Sequence, residues 1–416
     1  MPSTTTKQPS TAGGGLIPVE DALHSFLALA TLPLKKVQVP LMQSIGKVLA
    51  TDVISHINVP PADNSAMDGY AFRLADVRAT SSEYSEPMAV SQRIAAGTAP
   101  LTLEPGTAAR IFTGGPIPNG ADSVIMQENC DANAGHVRFS CLPSTPGANI
   151  RRAGEDIQEG SRVLSAGSTL RPQDLGLLAS VGQDTVTVFE PLRVAVLSTG
   201  TELAQPGSPL KEGTLYNSNQ PMLLAMLTNL GLTAIDAGTC NDSFDETKEA
   251  LRQAAQQADI VITSGGVSVG EEDHVKAAVS ALGGISLWKV AIKPGKPFAF
   301  GQIGSTPFIG LPGNPASVFT TFLMLARPFL LACQGCQSSH VSPVKVPAGF
   351  SRAPVSRQEY VRVRLVDGCL VPFSNQGSGV LTSASWADGF AIHYVGSAIT
   401  EGEPLDYLAF DSLMNR

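Results

Sequence analysis

The sequence has no apolar run long enough to cross a bilayer. Its most apolar segment, 318–332, is interrupted by Arg327 and Pro328 and predicts a core helix instead. The start carries no apolar h-region, so no secretory leader is expected. Six cysteines in 416 residues are too few for a disulfide framework and fit a reducing cytoplasm. Cys333 and Cys336 form one CxxC, but no second pair is present to complete a zinc site. Basic residues are outnumbered, 28 against 36, and no basic tract occurs, which argues against nonspecific binding of nucleic acid. The GxGxxG fingerprint, the GxxxxGK[ST] P-loop and any His-rich metal motif are all missing. Covalent nucleophile chemistry is therefore poorly supported.

What is present is organised around residues 259–274, DIVITSGGVSVGEEDH. Ile260, Val261 and Ile262 read as a strand buried on both faces. The strand stops at Ser264-Gly265-Gly266, whose glycines permit positive φ and leave N–H groups free of side-chain cover. Glu271, Glu272 and Asp273 follow, then a helical pattern through Val275, Ala278 and Leu282. In an open α/β sheet such a turn lies at the carboxyl end of the strand, where ligands bind. Bare N–H groups suit an oxyanion, and nearby carboxylates suit a divalent cation bridging to it.

The length predicts roughly three or four domains. Residues 1–15, rich in Thr, Ser and Gly, predict a disordered tail. A helix is expected from Pro18, with Ala22, Leu23, Phe26 and Leu27 on one face, and another over 41–53 on Ile45, Val48 and Leu49. Together 16–54 and 151–190 read as one α–β unit, with a small β domain over 55–150 inserted between them. Residues 191–336 alternate strands and helices and predict a doubly wound parallel sheet. In this part Ser243 and Glu246 have the capping-box spacing, and Asn314-Pro315 reads as a helix start. Residues 341–416 read as a separate β domain with a hairpin turn at Asp367-Gly368. The fold class is thus α/β plus β in a multi-domain chain.

Three glycine turns should meet at one sheet edge: Ser198–Glu202, Ser264–Gly270 and Gly310–Pro315. Beside them, period-two alternation places Lys289, Ala291 and Lys293 on one face of a strand, and Lys293 and Lys296 bracket a Pro-Gly turn. Lysines, glycine N–H groups and carboxylates together suggest a multiply charged anion held with Mg²⁺. The plain alternative is a solvated lysine face. Likewise the polar stretch 60–71 reads by itself as a surface loop, and Arg151 to Asp156 as a salt-bridged face.

Seven motifs in order change the weight of these readings: NSAMDGYA (64–71), FTGGPIPNGAD (112–122), RRAGEDI (151–157), LSTGTEL (197–203), SGGVSVGEED (264–273), KVAIKPGKPFAFG (289–301) and GLPGNPAS (310–317). From about Leu16 onward the chain resembles the molybdopterin molybdenumtransferases, the MoeA family, related to the E domains of gephyrin. The resemblance implies four domains and an elongated homodimer in the cytoplasm. It implies that adenylylated molybdopterin and molybdate give molybdenum cofactor and AMP with the help of Mg²⁺. It assigns Glu202, Asp242 and Asp273 to Mg²⁺ and substrate, and Ser264, Gly265 and Gly266 to a phosphate-cradling turn. Lys289, Lys293 and Lys296 become the basic cluster, Pro312 and Pro315 shape the neighbouring loop, and Asp68, Thr113 and Asp156 are functional positions of other domains. Arg362 and Ser378 fall where the family places anion contacts. Partners implied are the upstream molybdopterin adenylyltransferase and a second copy of the chain, with no nucleic acid and no membrane. The alternatives are a non-catalytic molybdopterin-binding scaffold or carrier and a tungsten-selective relative; the related adenylyltransferase would lack the NSAMDGYA and C-terminal regions.

Overall fold

Three consecutive apolar strands set the architecture. Arg193–Thr199 lies between Thr233–Cys240 and Ile260–Ser264, parallel to both, and Thr306–Leu311 continues the parallel order. Val194, Val196, Ile260 and Ile262 are completely buried, as strands covered on both faces require. Helices Asn219–Asn229 and Pro315–Cys333 cover one face, and Phe244–Gln257 and His274–Leu282 the other. The computed structural model describes residues 16–80, 83–267 and 274–415. The expected tail, 1–15, lies outside them.

The sheet departs from the all-parallel expectation at one edge. Pro297–Ile303 and Gly283–Lys289 extend it as antiparallel strands, giving six in all. The cause is local: Ile303 pairs with Thr306 across Gly304-Ser305, with Gly304 at φ +61°. A two-residue loop can only reverse the chain, whereas a parallel return needs a crossover of a dozen residues or more. The capping box at Ser243 also does not form. Ser243 makes no side-chain cap, and Glu246 accepts instead from Asn241 Nδ2 at 3.0 Å.

The inserted β unit is a six-stranded sheet built from residues 69–139. The flanking segments close beneath it, Val53–Ile54 against Arg162–Leu164 and Lys36–Pro40 against Thr185–Phe189. Residues 41–53 are not the expected helix. After a short 3-10 turn at Leu41–Gln43, Gly46 takes φ +71°, and Val48 and Leu49 make bridges to Thr169 and Val188. Their apolar spacing serves a β-lined core and only mimics a helical stripe. The C-terminal unit is again a sheet, Gln358–Val366 at its heart, with Asp367 and Gly368 both at positive φ in the hairpin turn.

The first helix, Val19–Leu27, packs away from the N-terminal unit it was grouped with. Ile17 bridges to Val290, and Phe26 stacks on Phe329 at 4.2 Å with Phe298 and Phe300 edge-on at 5.3 and 4.9 Å. Phe26 has no exposed surface, so Phe26→Ala leaves a cavity between the sheet and the long helix. We expect a loss of about 3–5 kcal/mol in denaturant unfolding, the range for truncating a core phenylalanine.

Candidate active site

Parallel register decides where the chemistry sits. Ser198 pairs with Ser264, and Ser264 with Leu311, so three strands end level with one another. The turns that follow therefore meet: Gly200 to Glu202, Gly265-Gly266 and Pro312 to Pro315. They border two adjoining cavities of about 830 and 330 Å³, sharing Glu202, Asn219, Pro297, Pro312 and Gly313. Close packing explains the glycines. A Cβ on Gly266, at φ +65°, would lie 2.3 Å from Val275 Cγ2, and one on Gly310 2.3 Å from Val267 Cγ1.

The polar groups here differ from the sequence reading in kind. Gly265 N–H is spent on Leu311 O at 3.1 Å, so it is not a bare donor. What the strand ends offer instead is hydroxyls. Among the described residues, Ser198 Oγ, Thr199 Oγ1, Thr263 Oγ1 and Ser264 Oγ are all buried with no hydrogen-bond partner, as is Asn219 Oδ1. Unsatisfied buried polar atoms are costly and point to a missing partner. Two carboxylates stand beside them. Glu202 folds over Gly200, and Asp242 Oδ2 accepts from Thr201 N at 3.2 Å. Among the described residues no group of three or more His, Cys, Asp or Glu forms a metal cage. Two carboxylates with neighbouring hydroxyls do fit Mg²⁺, which keeps several waters and borrows ligands from substrate phosphates. Asp273, the third expected ligand, lies outside the described residues.

The lysines separate. Lys289 ends one strand of the main sheet and is exposed off the cavities, whereas Ile292–Lys293 leaves that sheet to pair with Gln358-Glu359 of the C-terminal unit. The shared strand face for Lys289, Ala291 and Lys293 therefore does not exist. Lys293 and Lys296 do line the larger cavity, on a loop whose Gly295 lies against Thr321 of the long helix. The opposite wall comes from the C-terminal unit, as Arg357 and Gln376 to Gly379. Asn314 Nδ2 donates to Ser378 Oγ at 3.1 Å, fastening that wall to the Pro312–Pro315 turn.

Arg362 is not at the surface of this cleft. It is fully buried behind the wall, its Nε donating to Ser383 Oγ at 3.0 Å and its Nη2 to Gly377 O at 3.1 Å. Burial pushes its guanidinium down to about 10, still charged at neutral pH. It shapes the loop that carries Ser378, and Arg357 is the arginine that reaches the cavity. Nothing in the local sequence marked Arg357, because its neighbours in the cleft come from other segments, Lys293 to Pro297 and Gln376 to Gly379.

The three N-terminal motifs form a second cluster. Gly114 N donates to Ser65 O and Ser65 N to Gly115 O within FTGGP, Ala66 N donates to Asn149 O, and Arg152 Nη1 meets Asp63 Oδ2 at 2.6 Å. Asp68 Oδ1 accepts from both Thr113 N, 2.8 Å, and Thr113 Oγ1, 2.7 Å. Arg110 and Arg93 lie over the Phe112 ring at 4.6 and 4.5 Å. Asp156 is exposed in the following turn, its N–H bonded to Val59 O. None of these residues borders the sheet-edge cavities.

Residues 17–182 match the profile of a MoeA N-terminal region (domain I and II), residues 195–332 that of a probable molybdopterin binding domain, and residues 345–410 that of a MoeA C-terminal region (domain IV). The chain is 43% identical to a molybdopterin molybdenumtransferase of Haemophilus influenzae over 77% of its own length and 78% of that protein's. It is 34% identical to a protein of the same name from Synechococcus elongatus, over 92% and 97%. The crystal structure of a molybdopterin biosynthesis MoeA protein from Pyrococcus horikoshii OT3 superposes with a TM-score of 0.81 at 28% identity, covering 95% of this chain and 100% of that one.

The Asp68–Thr113 pair gives a measurable signature. The Thr113 N–H and then its hydroxyl hold the Asp68 carboxyl below its ordinary value of 3.8, with the Arg110 charge adding to the effect. The native state thus favours the anion, a contribution complete above pH about 4 and lost as the pH falls through the lower native value. Thr113→Val removes the hydroxyl and keeps the N–H. Carboxyl-carbon NMR titration should then show Asp68 moving up toward, but not reaching, its ordinary value.

Proposed function

The chain belongs to the MoeA family of molybdopterin molybdenumtransferases, and on that premise we propose that its sheet-edge cleft takes adenylylated molybdopterin and molybdate and releases AMP. It is a transferase of molybdenum cofactor biosynthesis that inserts molybdenum. The observation that supports the finer reading is the set of buried hydroxyls at the level strand ends that have no partner among the described residues, with Glu202 and Asp242 beside them and Lys293, Lys296 and Arg357 lining the adjoining cavity. A substrate with a phosphoanhydride presents oxygens to hydroxyls and cations alike. The substrate's dithiolene sulfurs would take the molybdenum, so the chain needs no thiolate of its own.

Roles follow from position. Thr199 and Ser264, which line the smaller cavity, donate to phosphate oxygens. Lys293, Lys296 and Arg357 concentrate molybdate and offset the charge of the leaving phosphate, a task of positioning and electrostatics. Glu202 and Asp242 would hold Mg²⁺, which when bound neutralises charge on bridging phosphate oxygens. Asp273 belongs in this proposal as a third carboxylate. The Asp68, Thr113 and Asp156 cluster lies off the cleft of its own chain, which fits a homodimer in which one copy closes the other's site. An upstream adenylyltransferase would supply the substrate. The six cysteines form no disulfide among the described residues, which fits a reducing, cytoplasmic setting. Tungstate would meet the same residues.

The purified chain should release AMP from adenylylated molybdopterin only when molybdate and Mg²⁺ are both added. Glu202→Gln and Asp242→Asn should each slow release about a hundredfold, the scale for losing one preorganised electrostatic contact. Tight binding without release would favour a carrier or scaffold, and unchanged rates in both variants would remove the carboxylates from the reaction.

A further inference from the structure

Lys293 reaches the cleft from an unusual footing. Its two-residue strand is an addition to the edge of the C-terminal sheet, with Ile292 opposite Gln358 and Lys293 opposite Glu359. Gln358 N donates to Ala291 O at 2.9 Å, and Arg357 Nη1 to Ile292 O at 3.3 Å. Glu359 is only 1% exposed. One of its oxygens, Oε1, faces Lys293 Nζ at 3.4 Å and Arg352 Nη1 at 3.0 Å. Neither contact is an aligned hydrogen bond, so this oxygen is held by charge alone. On the neighbouring strand His393 pairs opposite Glu359, its Nε2 against Ser397 O at 2.7 Å, and the Arg362 guanidinium also senses the Glu359 charge.

We propose that Glu359 is a positioning residue for the oxyanion-binding lysine of the cleft. The inference rests on the reading of that cleft as a molybdate and phosphate site. A lysine carries its charge on a flexible stem with three donors, so an unanchored ammonium would sample many positions. Glu359 fixes it at the cavity edge while leaving donors free to face the cleft. A buried carboxylate whose single partner turns away would be left uncompensated. Arg352 removes that difficulty, because it shares the same oxygen and remains when Lys293 turns toward a bound oxyanion. One carboxylate also cannot neutralise Lys293, Arg352 and Arg362 together, so a surplus of positive charge stays on this wall. The C-terminal unit thereby sets the geometry of a lysine that belongs to another part of the chain.

The test is a double-mutant cycle on the full chain, read as AMP release against molybdate concentration, with thermal unfolding followed in parallel. Glu359→Gln should raise the molybdate KM about tenfold while kcat changes less than about twofold, the split expected when binding rather than chemistry is lost. Lys293→Ala should raise it at least as far, and the double variant should be no worse than Lys293→Ala alone, since both act through one ammonium. Glu359→Asp, which keeps the charge and withdraws it by one methylene, should fall between wild type and Glu359→Gln and serves if the glutamine variant does not fold. Additive losses in the double variant, or a lowered melting temperature with an unchanged molybdate KM, would overturn the proposal. AMP release by the unsubstituted chain that ignores molybdate would overturn the cleft reading itself, whatever Glu359 does.

Discussion

The level ending of three parallel strands is the constraint on which the site depends. Ser198, Ser264 and Leu311 share one register line, so the turns after them converge without any direct contact between their sequences. A slip of one residue in any strand would turn its side chains to the opposite face and carry its turn out of line with the other two. Val194, Val196, Ile260 and Ile262 pack under the helices of one face, and Ala195, Leu197 and Val261 under those of the other. Stability and function are thus coupled through alignment: the same packing that excludes water from the strands fixes where their polar ends emerge.

The cleft is also a joint between units. One wall is the sheet edge and the Lys293–Lys296 loop, the other the C-terminal loop from Gln376 to Gly379. The bonds that tie them are few and directional: Asn314 to Ser378, Ala316 N to Ser378 O, and the strand pairing of Ile292–Lys293 with Gln358-Glu359. Arg362 stiffens the second wall from behind. Charge of both signs lines this cleft, Glu202 with Lys293 and Lys296 on the first wall and Arg357 on the second.

Much of this was legible in the sequence, because its signals are local. The β-branched runs, the glycine turns that end them and the positive-φ hairpin at Asp367-Gly368 all act over a few residues. Gly304-Ser305 is itself a two-residue hairpin signal, which the parallel expectation for 191–336 passes over. The helix expected over 41–53 failed because Ile45, Val48 and Leu49 match a helical spacing while Gly46 interrupts it with a left-handed backbone. Lys289 and Lys293 keep the period of a single strand, yet the chain changes sheets between them. Arg357 and Glu359 could not be found this way at all. Their place in the site comes from pairing between segments far apart in sequence, and Arg362 shows the converse, a plausible anion contact that the fold buries.

The central claim is that the oxyanion sits at the level strand ends, between the hydroxyls and the Lys293–Arg357 side. Locating tungstate by anomalous scattering in crystals of this protein grown with Mg²⁺ tests it most directly. The account predicts a tungsten peak inside the sheet-edge cleft, within contact of Lys296, Arg357 or Ser378. A fully occupied peak elsewhere on the molecule, with the cleft free of tungsten, would contradict it.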